Sequence, residues 1–412
     1  MLVNAFTREL TTGDRIKVYR KRKGLSQAAL GGLIGRSEDW VSKVERGVIP
    51  AENLSVLLEI ARVLDIRELS ELTGRSIALV TNGSHEHESV PEIRRALNTI
   101  SSRLGDNLPG TPLTPDELAQ RVDEAWHAYE HDVDRYAVVG PQLPNLLAEA
   151  QYAARNVGTD DEAKVARAVI SLYHLLQVFL RRVGEHTLSR VAADRALQLA
   201  DQTGDPVLLG ASAWNVALVL TTTGAVAESA DLARSAMEIT TPGDDASPEL
   251  LSVHGALHLV GAVASMRDSR PAAAWDLLHE AERIAQRAAV DRNDWRTAFG
   301  PTNVAMHGVH LAGEEGDATE ALRLADAIED ENPVLPLERR TRYLVEVMNA
   351  NRLKQDDYAT LYMIGRIRKT SPEEVKYFPI VREAIRDLLK RERPSYRAEL
   401  RDHATHVGVL AG

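Results

Sequence analysis

Two pairs of histidines, His254 with His258 and His307 with His310, stand four and three residues apart. On a helix that spacing puts both imidazoles of a pair on one face, where they could hold a metal ion. No carboxylate or third ligand is fixed beside either pair by spacing, so they read better as partly buried polar residues or pocket walls. His85 and His87 alternate in a polar stretch without partners, a weak site. The chain has no cysteine, which removes disulfides, thiolate metal sites and cysteine nucleophiles together. It also lacks a G-x-x-x-x-G-K-[ST] phosphate loop, an H-E-x-x-H zinc helix and a G-x-S-x-G nucleophile turn. No catalytic residue, resident metal or cofactor is expected. The chemistry that remains is cationic. Between residues 13 and 47, nine Lys and Arg stand against four Asp and Glu. The run Arg20-Lys21-Arg22-Lys23 suits phosphate oxygens, or else forms a solvated helix end.

The elements that position these cations are short helices. Residues 13–23 read as one, with Ile16, Val18 and Tyr19 apolar between the charges. Residues 25–47 hold two more, meeting at a turn centred on Gly35. Ser26 and Ser37 stand where helix N-caps belong, each with a side-chain oxygen for free backbone N–H groups. Leu30, Ile34, Val41 and Val44 carry the apolar face, and Gly31 lets the second helix cross close to the first. Leu54, Leu57, Leu58, Ile60, Ala61, Leu64, Ile66 and Leu69 continue a helical period. Together they predict a compact domain of four to five helices, closed by Gly74 after Leu72.

The stretch L-S-Q-x-x-L-G-x-x-x-G-x-S-x-x-W-V-S-K-V-E-R-G resembles the Cro/C1-type (XRE) helix-turn-helix family, over about residues 13–74. The resemblance implies that Gln27 touches a phosphate and that the third helix, about residues 37–46, lies in the major groove. Glu38, Asp39 and Lys43 match base-reading positions and Arg46 a backbone contact. Arg36, Ser37 and Ser42 complete the face toward DNA, and Trp40 is open between packing on the turn and touching sugar-phosphate. One departure stands out. Glu38 and Asp39 replace the amides common in the family, so adenine is not read by Gln there, while a carboxylate could accept from a cytosine amino group.

Beyond a polar, turn-rich segment at 81–91, a short helix at 91–104 and a Pro-Gly-Thr-Pro break at 109–112, the chain reads as helical and rich in Ala and Leu. Aligned breaks reveal self-similarity. Gly184 and Ala196, Gly224 and Ala236, Ser269 and Ala281, Gly316 and Ile328 are each twelve apart, with starts 40, 45 and 47 residues apart. The layout resembles tetratricopeptide repeats over about residues 118–389, clearest at 213–239, with a capping helix at 375–390. Stacked hairpins bury one continuous core and leave a concave inner surface. The alignment puts Ser171, His174, Val178 and Arg181 there, then Ala211, Trp214, Leu218 and Thr221. Leu259, Val263 and Met266 follow, then Asn303, Met306 and His310. Of these His174, Arg181, Trp214, Asn303, Met306 and His310 are the candidate ligand residues. Trp214 and Met306 alternatively serve as plain repeat core, and Asn303, after Phe299-Gly300-Pro301-Thr302, alternatively just starts a helix.

Charge divides with the domains. Of 49 basic and 60 acidic residues in 412, residues 1–80 hold 13 and 10, a net of +3, which leaves −14 for the rest. DNA would repel the acidic body, so the basic N-terminal domain must make the contact. Apolar residues make up 44%, ample for a core, and no run approaches eighteen apolar residues, so no membrane span is expected. The N-terminus lacks a charged region followed by an apolar run, so a cytoplasmic location is expected.

The expected fold is all-α: a helix-turn-helix domain at 1–80, a linker and connecting helix at 81–114, and a superhelical array of helical hairpins at 115–412. The whole resembles peptide-responsive helix-turn-helix/tetratricopeptide regulators of Gram-positive bacteria, and its composition is similar to actinobacterial proteins. The resemblance implies a homodimer on a palindromic double-stranded operator, with a peptide or small-molecule signal in the repeats and no membrane partner. Two alternatives remain: repeats that bind a protein partner, such as a sigma factor, without a small ligand, and an enzyme fused to a DNA-binding domain. A closed pocket with several shifted titratable groups would favour the enzyme, an open groove would count against it.

Overall fold

The computed structural model describes residues 11–46, 54–64, 66, 72, 87–98, 113–329 and 334–410. These are helical with no strand among them, in two compact units, Met1–Ser84 and His85–Gly412. The side chains of Leu54 and Leu58, all of Leu69 and Gly74, and most of the 81–91 segment, His85 included, lie outside the described residues.

In the first unit the helices are α1 (Thr12–Arg22), α2 (Gln27–Leu33), α3 (Glu38–Glu45) and α4 (Leu54–Val63). Thr11 and Asp14 form a reciprocal capping box at α1, and Ser26 and Ser37 cap α2 and α3 through Ala29 N and Trp40 N. Gly35 turns the chain between α2 and α3 at φ +63°. A Cβ on Gly31 would stand 2.6 Å from the Arg36 carbonyl oxygen, so only glycine allows that close crossing. Ile16, Leu30, Ile34, Val41, Val44 and Ile60 make the core.

The second unit begins with α5 (Val90–Asn98), α6 (Pro115–His131), α7 (Arg135–Val139) and α8 (Leu143–Asn156). Val90, Ile93 and Leu97 of α5 are fully buried with Leu118, Val122 and Phe179. His87, read as a linker residue, packs edge-on against Phe179 at 5.2 Å. Five hairpins follow: α9 (Glu162–Arg182) with α10 (His186–Thr203), α11 (Pro206–Thr223) with α12 (Val226–Ile239), and α13 (Pro248–Arg267) with α14 (Pro271–Ala288). Then come α15 (Pro301–Glu315) with α16 (Ala318–Ala325), and α17 (Leu337–Leu353) with α18 (Asp357–Thr370). Each hairpin turns at a left-handed residue: Gly184, Gly224, Ser269, Gly316 and Gln355, with φ between 58° and 91°. Four of these are the breaks aligned in the sequence. Three of the four are glycines, which suit this region; the fifth turn, at Gln355, was not among the aligned breaks.

The first helices of successive hairpins also touch one another. They form an inner layer, and the second helices lie outside it. An inner helix is covered on nearly every side, so it needs no polar face. By length and composition alone α9, α11 and α13 are each long and apolar enough to cross a membrane. Most of each is instead buried in this protein core.

The chain ends in α19 (Pro379–Lys390) and α20 (Arg397–His406). The helix expected from residue 375 starts later. Pro379 occupies its first turn, and Phe378 before it is held extended at ψ 103°, as a residue preceding proline must be. The beginning and end of this unit meet. Arg135, wholly buried, donates through Nη2 to Ser371 Oγ at 3.0 Å and pairs with Glu374 at 3.2 Å. The Tyr136 amide donates to Glu373 at 3.0 Å, and Tyr136 packs on Tyr377.

Candidate functional site

On the first unit, α3 presents its N-terminal half to solvent. Arg36, Ser37, Glu38, Asp39 and Arg46 are exposed, and Trp40, Ser42 and Lys43 partly so. Ser37 is occupied as the cap of α3. Arg36 stacks over the Trp40 ring at 5.6 Å, and Trp40 packs partly on the core. Lys43 pairs with Asp39 one turn earlier at 2.6 Å, which leaves Glu38 as the carboxylate of α3 nearest its tip.

Two expected phosphate contacts are otherwise engaged. Arg20 is buried and grips Glu45 in a fork, Nε–Oε1 2.5 Å and Nη2–Oε2 2.9 Å, while Nη1 donates to Leu25 O at 2.7 Å. Gln27 donates to Glu45 Oε2 at 2.7 Å. Burial alone would raise the Glu45 pKa, but bonds from Arg20 and Gln27 and the Arg20 and Lys17 charges outweigh it and hold the carboxyl below its ordinary value. Glu45 thus ties α1, α2 and α3 together. Arg20 is removed from any phosphate surface, which Lys21 and Arg22, both exposed, still offer.

In the second unit the inner layer encloses a cavity that is partly open to solvent. His174, Val178 and Arg181 of α9 line it, with Trp214, Leu218 and Thr221 of α11, Leu259 and Val263 of α13, and Asn303 and His310 of α15. Ser171, Ala211, Met266 and Met306 are not among the lining residues. Met306 is wholly buried in the core with Tyr343 and Met348. The sequence alignment stopped short of α17, which supplies Glu338, Arg339, Arg342 and Glu346. Their spacing of one, three and four residues along a helix was the available signal.

A segment at 289–300 closes one side. It inserts Trp295 between Arg167, 4.9 Å from its ring, and His174, edge-on at 6.1 Å. Arg296 pairs with Glu130 at 3.0 Å and also with Asp123 of α6, and Asn293 donates to Glu130 at 2.7 Å. Ala289, Trp295, Arg296 and Ala298 all have φ between 49° and 63°, left-handed conformations that cost about 1–3 kcal/mol each. Phe299 anchors the segment under α13, where a Cβ on Gly255 would come within 2.0 Å of its ring.

Several cavity groups are shifted. Burial lowers His174 and His307 to about 3 and Arg181 to about 10. Burial would raise Glu338 and Glu346, but neighbouring arginines outweigh it and bring both to about 2. This partly enclosed, perturbed pocket is not the open groove expected of a binding surface. The His174 Nε2 partner is Ser212 Oγ at 3.0 Å, and Ser212 is wholly buried and not a lining residue. His254 bonds Thr240 Oγ1, and His258 and His307 each bond a backbone oxygen one turn earlier. Among the described residues no three His, Asp or Glu gather around a cation position.

Comparison with known proteins adds the following. No curated protein matches the chain. A solved structure of Bacillus thuringiensis PlcR in complex with the peptide PapR7 and DNA is 12% identical, covering 84% of this chain and 98% of that one at a TM-score of 0.33. A likeness that weak establishes nothing about function. The profile of a family described as "Helix-turn-helix domain" matches residues 12–78. The N-terminal unit is a helix-turn-helix domain of the DNA-binding kind.

Proposed function

We propose that this protein is a cytoplasmic, sequence-specific transcription regulator. It binds DNA through α3 and takes a signal ligand, a peptide or small molecule, in the cavity of its helical body. The observation that carries the reading is the division of labour. One unit is a helix-turn-helix domain with an exposed α3 tip, and the other holds a cavity lined by apolar and convergent polar groups, as ligand sites are. A homodimer sets two α3 helices against the half-sites of a palindromic operator, one or more DNA turns apart at ~34–36 Å per turn. A ligand regulates by binding one arrangement of the dimer better than the other.

Within α3, Glu38 accepts from a cytosine amino group and Lys43 donates to a guanine edge, released from Asp39 on docking. Arg46 holds the backbone, joined by Gln27 through the amide hydrogen it does not give to Glu45. The test is binding of the full chain to its own upstream DNA by fluorescence anisotropy. Lys43→Ala and Glu38→Ala are each expected to cost about 1–3 kcal/mol and to relax preference at one base pair. Binding indifferent to Lys43→Ala defeats the base-reading assignment. Supernatant fractions from the source organism are then titrated in, and one is expected to change the affinity.

A second reading, an enzyme joined to a DNA-binding domain, is favoured by one observation, the shifted groups around the cavity. Ligand binding explains them better, since Glu338 and Glu346 pair with arginines and the serine beside His174 is buried outside the cavity lining. Turnover of a cavity ligand by purified protein would reverse that preference.

A further inference from the structure

The cavity wall built by α9 and α17 carries more positive charge than its own carboxylates neutralise. Arg181, Arg182, Arg339 and Arg342 face Glu338 and Glu346 there. The nearby His174 and His307 add no charge, since burial keeps both neutral. Glu338 is in direct contact with Arg182. Arg181 stands 3.7 Å from the same oxygen, with its side chain 7% exposed and its Nε without a hydrogen-bond partner. Glu346 is shared among His310 at 3.2 Å, Arg342 at 3.4 Å and Arg339 at 3.7 Å. Arg339 gives its Nε to Asn303 Oδ1 and has an unpartnered Nη2.

A guanidinium out of water and short of partners is costly unless an anion completes it. Burial and the charge of Arg182 together lower Arg181 to about 10, and Arg342 falls to the same value under burial and three arginine neighbours. A third of the Arg342 side chain is exposed, yet it lines a cavity walled by protein, so bulk water screens it poorly. Along α11 and α13 the lining includes an apolar stretch: Leu218, Leu259, Val260 and Val263, with the Trp214 ring.

We infer that the cavity takes a ligand with a carboxylate at one end and an apolar body. The carboxylate sits against Arg181, Arg339 and Arg342, and the body lies along α11 and α13. A planar guanidinium matches a carboxylate's two oxygens. The four arginines less the two carboxylates leave a surplus of two charges, enough for a carboxylate, and the apolar lining of α11 and α13 favours an organic acid over a bare phosphate. This rests on the cavity being the ligand site proposed above. Two sources share the chemistry, a free organic acid and the C-terminus of an apolar peptide.

Four probes separate them: decanoate, decan-1-ol, N-acetyl-trileucine acid and its C-terminal amide. Each is titrated into the full chain with tryptophan fluorescence and thermal unfolding as readouts, since Trp214 and Trp295 line the cavity. At least one acid is expected to bind about tenfold or more tightly than its uncharged counterpart. Binding of decanoate alone points to an organic acid, and of the peptide acid alone to a peptide terminus. Arg181→Gln is expected to remove that advantage. If circular dichroism shows that this variant does not fold, Arg342→Gln, at the more exposed position, takes its place. Neutral probes that bind as well as the acids, acids that fail to bind at millimolar concentration, or variants that keep full affinity overturn the inference. Acid binding that leaves operator affinity unchanged sinks the gating reading but not this one. Operator affinity altered only by a neutral fraction does the reverse.

Discussion

Glu45 shows how one side chain fixes where α3 stands. It is almost wholly buried and its oxygens serve Arg20 of α1 and Gln27 of α2, so α3 is held in place before DNA arrives. Removing it strands the Arg20 charge. Glu45→Ala is therefore expected to destabilise the DNA-binding unit by about 3–5 kcal/mol, read as lost protection of that unit in hydrogen exchange. The two units also differ in their response to acid. The depressed Glu45 carboxyl contributes stability in full above its ordinary value near 4.3, and that contribution is lost as pH falls through its lower folded value. His174 is neutral in the fold down to about 3, whereas the unfolded chain protonates it near 6.5. The helical body is thus expected to weaken already between about pH 6.5 and 4.5, and the DNA-binding unit only below that. Hydrogen exchange at pH 7, 5.5 and 4 checks the order, and equal slopes in both units would contradict it.

At the scale of elements, the 289–300 segment is held by contacts that offset its left-handed backbone. Arg296→Ala removes the pairs to Glu130 and Asp123 and leaves Glu130 buried. It is expected to raise proteolytic cleavage within 289–300 and to speed ligand exchange, with little change in DNA binding by the free protein. Gly255→Ala drives a methyl group into the wholly buried Phe299 ring and is expected to cost about 1–3 kcal/mol. None of this was legible in the sequence, because Trp295 and Arg296 answer to partners more than a hundred residues away. What could be read was local. The serine caps, Gly31 and Gly35 announce α2 and α3, and Gly184, Gly224 and Gly316 announce hairpin turns, because each residue type serves backbone within a few positions of itself. Helical period then places His174, Arg181, Trp214, Asn303 and His310 on the inner layer, all of them on the cavity wall. It puts Met306 on that wall although Met306 is buried in the core, and it stops before α17, which lies beyond the last aligned break at Gly316. The arginines of α17 went unseen for that reason.

Across the whole molecule the charge of −11 hides a basic end on an acidic body. Affinity for DNA should fall steeply with salt, and Lys21→Ala is expected to flatten the log–log slope by about 0.9, one phosphate's worth. A slope left unchanged would take α1 off the interface. The junction of Arg135 with Ser371 and Glu374 joins the two ends of the second unit across 236 residues of chain. Open repeat arrays tolerate gain or loss of a unit, since each repeat answers only to its neighbours. Here a sixth hairpin, or a fourth as the last, would carry Ser371 away from Arg135 and leave its guanidinium stranded in the core. The repeat count is therefore frozen, so this body can diversify by changing side chains but not by duplicating or deleting hairpins.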